Sequence, residues 1–431
     1  MPTRTQARDG ERLPWPSGAS PDLQAPGWRE RWQQFVEGLV VRPRFRRWAS
    51  GFWLTRPLVR RRAGELFDIV AGFVYTQVLL ACVRLDLFNQ LAAGPDSAAR
   101  LAQRLGLPLR SMQRLLDAAV SLRLLDAAVS LRLLRRRSGG RYGLGALGAP
   151  MVGNTALAAM VEHHATLYAD LRDPVALLRD EGAGSAMAAY WPYASYPERQ
   201  GRADGAAPVL PARQVAEYSA LMTASQPMVI EELLDAYPLA RHRVLLDVGG
   251  GEGRFVAAAL AAAPRLRAML FDLPPVADLA TARLGAQGLG GRVAVHGGSF
   301  FDDPLPEGAD VATLVRVLFD HDDAHALAIL RAVARALPAG GTLLVAEPMA
   351  DAPGAHAMGD AYFGFYLLAM GRGQPRSAQA LTALLQEAGF TDVRALRTRV
   401  PLQAGVLVAR LGSGGPVTGV VPNGPPGAGA Q

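Results

Sequence analysis

The chain has 431 residues, half of them hydrophobic and 19% charged, which is enough for two or three domains of a soluble globular protein. A single cysteine, Cys82, excludes an intrachain disulfide framework and fits a reducing compartment. The net charge is +7, and every basic residue is arginine because the sequence contains no lysine.

Residues 1–63 are expected to form a basic, partly disordered arm, since the stretch 1–35 is rich in proline, arginine and glutamine. Residues 42–62 carry eight arginines, no acid and four aromatic residues. That composition suits an anionic membrane surface, and it suits equally an arm whose aromatic rings pack on the protein. No signal peptide is visible. We therefore expect a cytoplasmic protein, or one attached peripherally to the inner or photosynthetic membrane.

Residues 64–235 are predicted to be mostly helical. The apolar stretch 69–83 is too short to span a bilayer and contains Gln77, so it indicates a buried helix. The pattern of residues 97–122 is helix–glycine–helix, and residues 135–145 resemble a small β wing, as in a winged helix. Between them the nine residues 117–125 recur unchanged as 126–134, a duplication to which we assign no function.

A histidine-containing helix is predicted around "MVEHHATLYADL" (160–171). It places His164 and Tyr168 four residues apart on one face. His163 and His164 are adjacent and are expected to point apart. Glu162 is the only acid or cysteine at metal-ligand spacing from these histidines, so no metal site is predicted.

Residues 236–411 alternate strands with helices, which predicts an α/β domain with a doubly wound parallel sheet. Four residues separate the last two predicted strands, 392–400 and 405–411. This linker is too short for a crossover helix, so these strands should form an antiparallel hairpin. Residues 412–431 are a Gly/Pro tail that we expect to be disordered.

The first strand of this domain ends in "DVGGGEGRF". Gly249 and Gly251 fit a dinucleotide fingerprint, but Arg254 stands where its third glycine is needed. Asp272 ends the second strand and can accept both ribose hydroxyls of an adenosine. A glycine turn and a ribose acid without the third glycine, followed by a terminal hairpin, favour S-adenosylmethionine over a dinucleotide.

Several blocks, including "LLDVGGGEG", "FDLPPV", "GGSFFDDPLP" and "LLVAEP", resemble plant-type class I S-adenosylmethionine-dependent O-methyltransferases. The resemblance covers residues 64–411. It implies a Rossmann-like methyltransferase domain, an N-terminal winged-helix dimerisation domain and a homodimer. The cofactor-binding residues that it implies are Asp247, Gly249, Gly251, Asp272, Leu273, Ser299, Phe300 and Arg316. Ser299 departs from the family, which usually has an aspartate there for the adenine amino group.

The family's catalytic histidine, in an "HDW" motif after the fourth strand, aligns with Phe319 of "FDHDD". Its second orienting glutamate aligns with Pro375, and only Glu347 remains of that set. His321 is a candidate base if residues 319–323 are extended. The competing interpretations are that the acidic cluster caps the next helix, or that His164 or Glu347 serves as the base.

Longer stretches, among them "GDAYFGFYLLAMGRGQPRS", are similar to bacterial acyclic carotenoid O-methyltransferases, which methylate a tertiary 1-hydroxyl. This similarity implies a hydroxylated acyclic carotenoid as substrate. The substrate-binding residues that we predict are His164, Tyr168, Phe319 and Phe363. Residues 361–370 offer an aromatic wall suited to a polyene, or ordinary core packing.

Three alternatives remain open. The chain could methylate another hydroxylated or aromatic metabolite, or it could have the methyltransferase fold without catalysis, given Phe319 and Pro375. It could also be a winged-helix DNA-binding regulator. Few arginines on the recognition helix, 109–125, could meet phosphates, so we expect no nucleic-acid partner.

Overall fold

A computed structural model describes residues 27–121, 133–180, 184–190, 226–352, 361–371, 373–401 and 404–413. Its helices are α1 (Trp28–Val41), α2 (Pro43–Gly51), α3 (Arg56–Arg84), α4 (Leu87–Gln90), α5 (Ala98–Arg104), α6 (Leu109–Ser121), α7 (Thr155–Asp170), α8 (Pro174–Arg179), α9 (Ala186–Tyr190), α10 (226–236), α11 (Arg254–Ala262), α12 (Pro274–Ala286), α13 (Asp323–Ala336), α14 (Gly364–Ala369) and α15 (Ala378–Glu387). Its strands are β1 (Asp96–Ser97), β2 (Leu134–Arg137), β3 (Arg141–Leu144), β4 (Val244–Val248), β5 (Arg267–Asp272), β6 (Val293–Gly297), β7 (Val311–Val315), β8 (Thr342–Glu347), β9 (Phe390–Leu396) and β10 (Gly405–Leu411).

The predictions for the first 26 residues, for the loop 192–214, for the second repeat copy up to residue 132 and for the tail beyond 413 lie outside these described residues. The chain divides into two units, one ending at Val78 and the other comprising most of the remainder.

The first unit is helical from Trp28 onward, so the expected disorder does not extend over residues 28–35, which form the first part of α1. Pro43 occupies the first turn of α2, where its missing N–H costs nothing. Its fixed φ favours helix initiation, and the arginines beyond it are good helix formers. The proline, arginine and glutamine content of the stretch 1–35 therefore indicated disorder at residues 28–35, where α1 forms.

Helix α3 is apolar and exposed over much of its length. Ile69 is 77% exposed and Phe73 66%, and only Leu80 and Cys82 are buried in the helix. The prediction of a buried helix over 69–83 is therefore wrong for its first half. By length and composition alone α3, with 29 residues, could cross a membrane, and only 11% of its most apolar stretch is buried.

The second unit begins with the predicted winged helix. Helices α5 and α6 meet at Gly106, which has φ of +65°, and a three-stranded sheet of order β1-β3-β2 follows. Asp117 in α6 ties the two parts together, because its Oδ1 accepts from Tyr142 Oη at 2.8 Å and from Arg136 Nη2 at 2.6 Å. The first copy of the repeat thus supplies this anchor.

The large sheet has the order β6-β5-β4-β7-β8-β10-β9. Strands β4 to β8 are parallel, and β10 lies antiparallel between β8 and β9, which confirms the predicted terminal hairpin. Helices α13 and α15 cover one face, and α10, α11 and α12 cover the other. The strand order reverses between β4 and β7, so the crevice at their carboxyl ends is the expected ligand site.

Candidate active site

The glycine turn after β4 brings the backbone close to its neighbours. Gly249 has φ of +69°, and a Cβ there would lie 2.7 Å from Cγ2 of Val317. Gly251 has φ of +56°, and a Cβ there would meet nothing closer than Gln226 Nε2 at 3.8 Å. The first glycine therefore permits packing against the β7 turn, whereas the second leaves an open cradle that a ligand can approach closely.

Asp272 stands at the end of β5 beside that cradle. Its Oδ2 accepts from the N–H of Gly251 at 2.8 Å, and its Oδ1 accepts from the N–H of Leu273 at 2.7 Å. Burial raises the pKa of Asp272 to about 6, while the two backbone donors oppose that shift. The carboxylate retains lone pairs for two ribose hydroxyls, so an adenosyl group fits the site.

Asp247 lies deeper, within β4. Its Oδ1 accepts from Thr313 Oγ1 at 2.6 Å, and its Oδ2 is buried with no hydrogen-bond partner among the described residues. Burial raises the pKa of Asp247 to about 7. An unpartnered acceptor this close to the glycine turn is suited to a ligand's N–H or O–H group.

Four aromatic rings form a cluster beyond β6. Phe300 and Phe301 pack edge-on at 4.7 Å between ring centroids, and His321 lies 5.6 Å from Phe300 and 5.5 Å from Phe301. His325 completes the cluster at 5.2 Å from Phe301. Ser299 Oγ accepts from the N–H of Phe301 at 3.3 Å, so its hydroxyl already has a local partner. The adenine side of the site, as predicted from Ser299 and Phe300, thus includes His321.

His321 and Phe319 point into different surroundings. Residues Leu318–Asp320 form one 3₁₀ turn and His321 is extended after it. Phe319 is buried 6.3 Å from the ring of Phe363, whereas His321 contacts the Phe300 cluster. The two side chains therefore contact different neighbours, and His321 as the base stays a prediction. The cap interpretation is confirmed for Asp322, whose side chain accepts from the N–H of His325.

Two buried charged residues hold this turn. Glu347 Oε1 accepts from the N–H groups of Val317 at 3.0 Å and Leu318 at 2.8 Å. Arg376, missed by the sequence analysis, donates to the carbonyls of Leu318 at 2.8 Å and His321 at 2.7 Å. Glu347 thus positions the turn. Burial raises its pKa to about 7.

Arg316 begins the turn with φ of +58°, a left-handed conformation that is unusual for arginine. Its guanidinium lies over the ring of Phe319 at 5.7 Å, and its charge lowers the pKa values of Glu347, Tyr362 and Asp320 against the raising effect of burial. The geometry therefore places Arg316 with Phe319 and Tyr362. A contact with the adenine edge stays a prediction.

The predicted substrate residues meet through Tyr362, which the sequence analysis did not single out. Its hydroxyl lies 2.7 Å from Nε2 of His164, and its ring lies 5.0 Å from that of Phe363, which contacts Phe319. Tyr168 is half-buried one turn further along α7. Three predicted residues and Tyr362 therefore form one aromatic wall.

A parallel pair lies beside it. His163 Nε2 is 3.1 Å from the hydroxyl of Tyr366, so both histidines face the same segment and the expectation that they point apart is wrong. The side chains of neighbouring helical residues point in directions only about 100° apart, so two tyrosines four residues apart on one segment can hydrogen-bond to both histidines. Burial lowers the pKa of His163 to about 4 and lowers that of His164 as well, so both imidazoles are neutral at pH 7.

The chain is similar to known proteins along most of its length. Residues 168–391 match the O-methyltransferase domain family, and residues 67–160 match the O-methyltransferase dimerisation domain. A demethylspheroidene O-methyltransferase of Cereibacter sphaeroides is 43% identical over 82% of this chain and 88% of the relative. A protein of the same name from Rhodobacter capsulatus is 39% identical over 82% of this chain and 84% of the relative.

Solved structures of methyltransferases have the same fold. Human N-acetylserotonin methyltransferase in complex with SAM superposes with a TM-score of 0.63, at 24% identity, covering 82% of this chain and 98% of that one. The S-adenosylmethionine-dependent methyltransferase SibL superposes with a TM-score of 0.64 at 26% identity, covering 81% of this chain and 99% of that one.

Proposed function

The chain belongs to the O-methyltransferase family, and from that premise we propose that it methylates the tertiary 1-hydroxyl of a hydroxylated acyclic carotenoid. The coarser activity is established: it is an S-adenosylmethionine-dependent O-methyltransferase with a dimerisation domain that supports a homodimer. The observation that carries the substrate proposal is the 43% identity to a demethylspheroidene O-methyltransferase along 82% of the chain.

The aromatic wall supports a long apolar substrate. Phe319 replaces the histidine that the plant-type family keeps at this position, and it packs against Phe363 rather than presenting a polar group. Tyr362 stacks on Tyr366 at 5.8 Å and continues the wall. A polyene offers no hydrogen bonds, so its recognition depends on this kind of aromatic and aliphatic surface.

The cofactor site fits S-adenosylmethionine, which supplies a methyl group on a positively charged sulfur. Asp272 is the residue to hold the ribose, Gly251 leaves room for close approach, and the Phe300 cluster is suited to the adenine ring. These contacts orient the cofactor, and such orientation accounts for a large part of the rate of an in-line displacement.

A tertiary alcohol cannot ionise before attack at neutral pH, so its proton must leave late. We propose that the hydroxyl donates to the phenol oxygen of Tyr362 while Tyr362 passes its own proton to Nε2 of His164, 2.7 Å away. His164 can accept that proton because burial keeps it neutral at pH 7. The substrate O–H bond breaks as its O–CH₃ bond forms and the sulfur–methyl bond of the donor breaks. The proton ends on the imidazole, and the donor leaves as a neutral thioether.

The test of the function is transfer of labelled methyl from S-adenosylmethionine to a 1-hydroxy acyclic carotenoid dispersed in detergent. Label in the carotenoid fraction is expected, and label only in added phenols would contradict the substrate.

For the proton path, Tyr362→Phe should lower kcat about 100-fold, a typical contribution of general acid–base catalysis, with cofactor affinity unchanged. Tyr366→Phe is the matched control, because it removes the neighbouring Tyr–His contact at a residue only 8% exposed. Equal losses in the two variants would remove Tyr362 from the chemistry.

A further inference from the structure

The net positive charge of the protein lies in one segment. Residues 28–62 contain ten arginines and two glutamates, giving +8, whereas the whole chain carries +7. The remaining residues therefore almost balance one another. A charge so concentrated forms a local positive field that attracts anionic surfaces.

The same segment exposes large aromatic side chains. Four of the six tryptophans of the chain lie in it. Trp28, Trp32, Trp48 and Trp53 are 71%, 62%, 54% and 73% exposed. Trp28, Trp32 and Phe35 follow the spacing of one helical face along α1, and Phe35 is 57% exposed. A water-facing surface rarely displays so many indole rings, so this surface indicates a binding partner.

Two features distinguish the kind of partner. The dimerisation-domain match begins at residue 67 and the methyltransferase match at 168, so neither accounts for this segment. A second copy of the segment is a poor partner, because a two-fold contact would set the eight arginines and no acid of residues 42–62 against themselves. Indole rings beside arginine heads instead match the interfacial zone of an anionic bilayer.

We propose that residues 28–62, which we call the N-terminal basic surface, dock the enzyme on an anionic lipid bilayer. The exposed arginines bind lipid phosphates and the tryptophan rings lie at the headgroup level. This assignment depends on the surface alone and not on the substrate. Docking would bring the enzyme to the phase in which apolar acceptors dissolve.

The experiment is flotation of the full-length protein with vesicles of phosphatidylcholine alone or with a third of phosphatidylglycerol. We expect at least tenfold tighter binding to the anionic vesicles, weakening as salt rises. Arg44→Glu/Arg47→Glu/Arg60→Glu should abolish the preference. The matched control Arg265→Glu/Arg394→Glu/Arg397→Glu changes three exposed arginines elsewhere by the same charge and should retain it.

Trp48→Ser/Trp53→Ser should weaken vesicle binding about tenfold while gel filtration still shows the parent's oligomeric state. Dissociation of that oligomer by the tryptophan pair would make the surface a protein interface and overturn the proposal. Equal binding to both vesicle types, equal loss in the control triple variant, or tighter binding to a short DNA duplex than to anionic vesicles would overturn it as well. None of these readouts involves methyl transfer, so their failure leaves the carotenoid proposal separately testable.

Discussion

Replacing Arg376 with methionine removes the side chain that holds the turn between β7 and α13. Arg376 is buried, with 3% of its side chain exposed, and donates to the carbonyls of Leu318 and His321 and to Asp323 Oδ1 at 2.7 Å. Each carbonyl that loses a charged donor costs about 1.5–3 kcal/mol. The ion pair adds little, because the Asp323 side chain is 65% exposed and solvent screens it.

The two carbonyls therefore set the size of the effect. We expect Arg376→Met to lower the free energy of unfolding by about 3 kcal/mol, after allowance for the removed cost of burying a charge. Since about 1 kcal/mol corresponds to roughly 2–4 °C in a domain of this size, Tm should fall by at least about 6 °C in calorimetry. The kcat should fall as well, because the turn presents Phe319 and His321.

The control is Arg410→Met. Arg410 donates to the carbonyl of Gly340 at 3.3 Å on the exposed surface, so the same substitution there should change Tm by less than about 2 °C. If Arg376→Met melts with the parent, or if both variants melt equally low, the turn is not held by these hydrogen bonds.

Asp272→Asn should weaken S-adenosylhomocysteine binding about 10- to 100-fold by calorimetry, because the ribose loses a charged acceptor; unchanged affinity would refute the ribose assignment. Because burial raises the pKa of Asp272 to about 6, the parent's affinity should fall as pH drops below about 6 and the carboxylate gains a proton, and Asp272→Asn should show no such fall. Gly249→Ala should lower the free energy of unfolding by about 2 kcal/mol, since φ at this residue is +69° and its Cβ would lie 2.7 Å from Val317. The matched change Gly285→Ala, at an exposed position within α12, should raise it by up to about 1 kcal/mol in chemical denaturation. If both variants shift the free energy of unfolding in the same direction, this reasoning is wrong. Phe73→Asp should convert the dimer to monomers in light scattering, because the dimerisation match begins at 67 and Phe73 is 66% exposed; a persistent dimer would place the interface elsewhere.

Sequence patterns predicted the regular part of the fold. Buried parallel strands such as β7 are mostly apolar, which made them recognisable in the sequence. The linker before β10 was predicted to have four residues and has eight, 397–404, because β9 ends at Leu396 rather than at residue 400; the return is antiparallel as predicted. The glycine turn and Asp272 were predicted together because each ends a strand at the same edge of the sheet. The spacing of strands and turns along the sequence was therefore enough to predict that these residues meet.

The catalytic surroundings were harder to predict, because they depend on side-chain direction. One 3₁₀ turn at Leu318–Asp320 sends Phe319 and His321 apart, and periodicity gives no signal for a turn that short. Arg376 was missed because no local sequence pattern distinguishes one buried arginine from the other basic residues, of which the chain has 45 in all. Helix α3 was predicted to be buried because apolar composition does not distinguish a core helix from an exposed one.

We expect this methyltransferase to prefer a tertiary alcohol on an apolar polyene to a phenol. The most direct measurement compares kcat/KM for a 1-hydroxy acyclic carotenoid and for a hydroxynaphthoate, with equal detergent and saturating S-adenosylmethionine. We expect at least a roughly 100-fold higher kcat/KM for the carotenoid, since Phe319 and Phe363 form an apolar wall and Phe319 occupies the position of the family's catalytic histidine, which would deprotonate a phenol. A preference for the hydroxynaphthoate, or no transfer to the carotenoid, would contradict it.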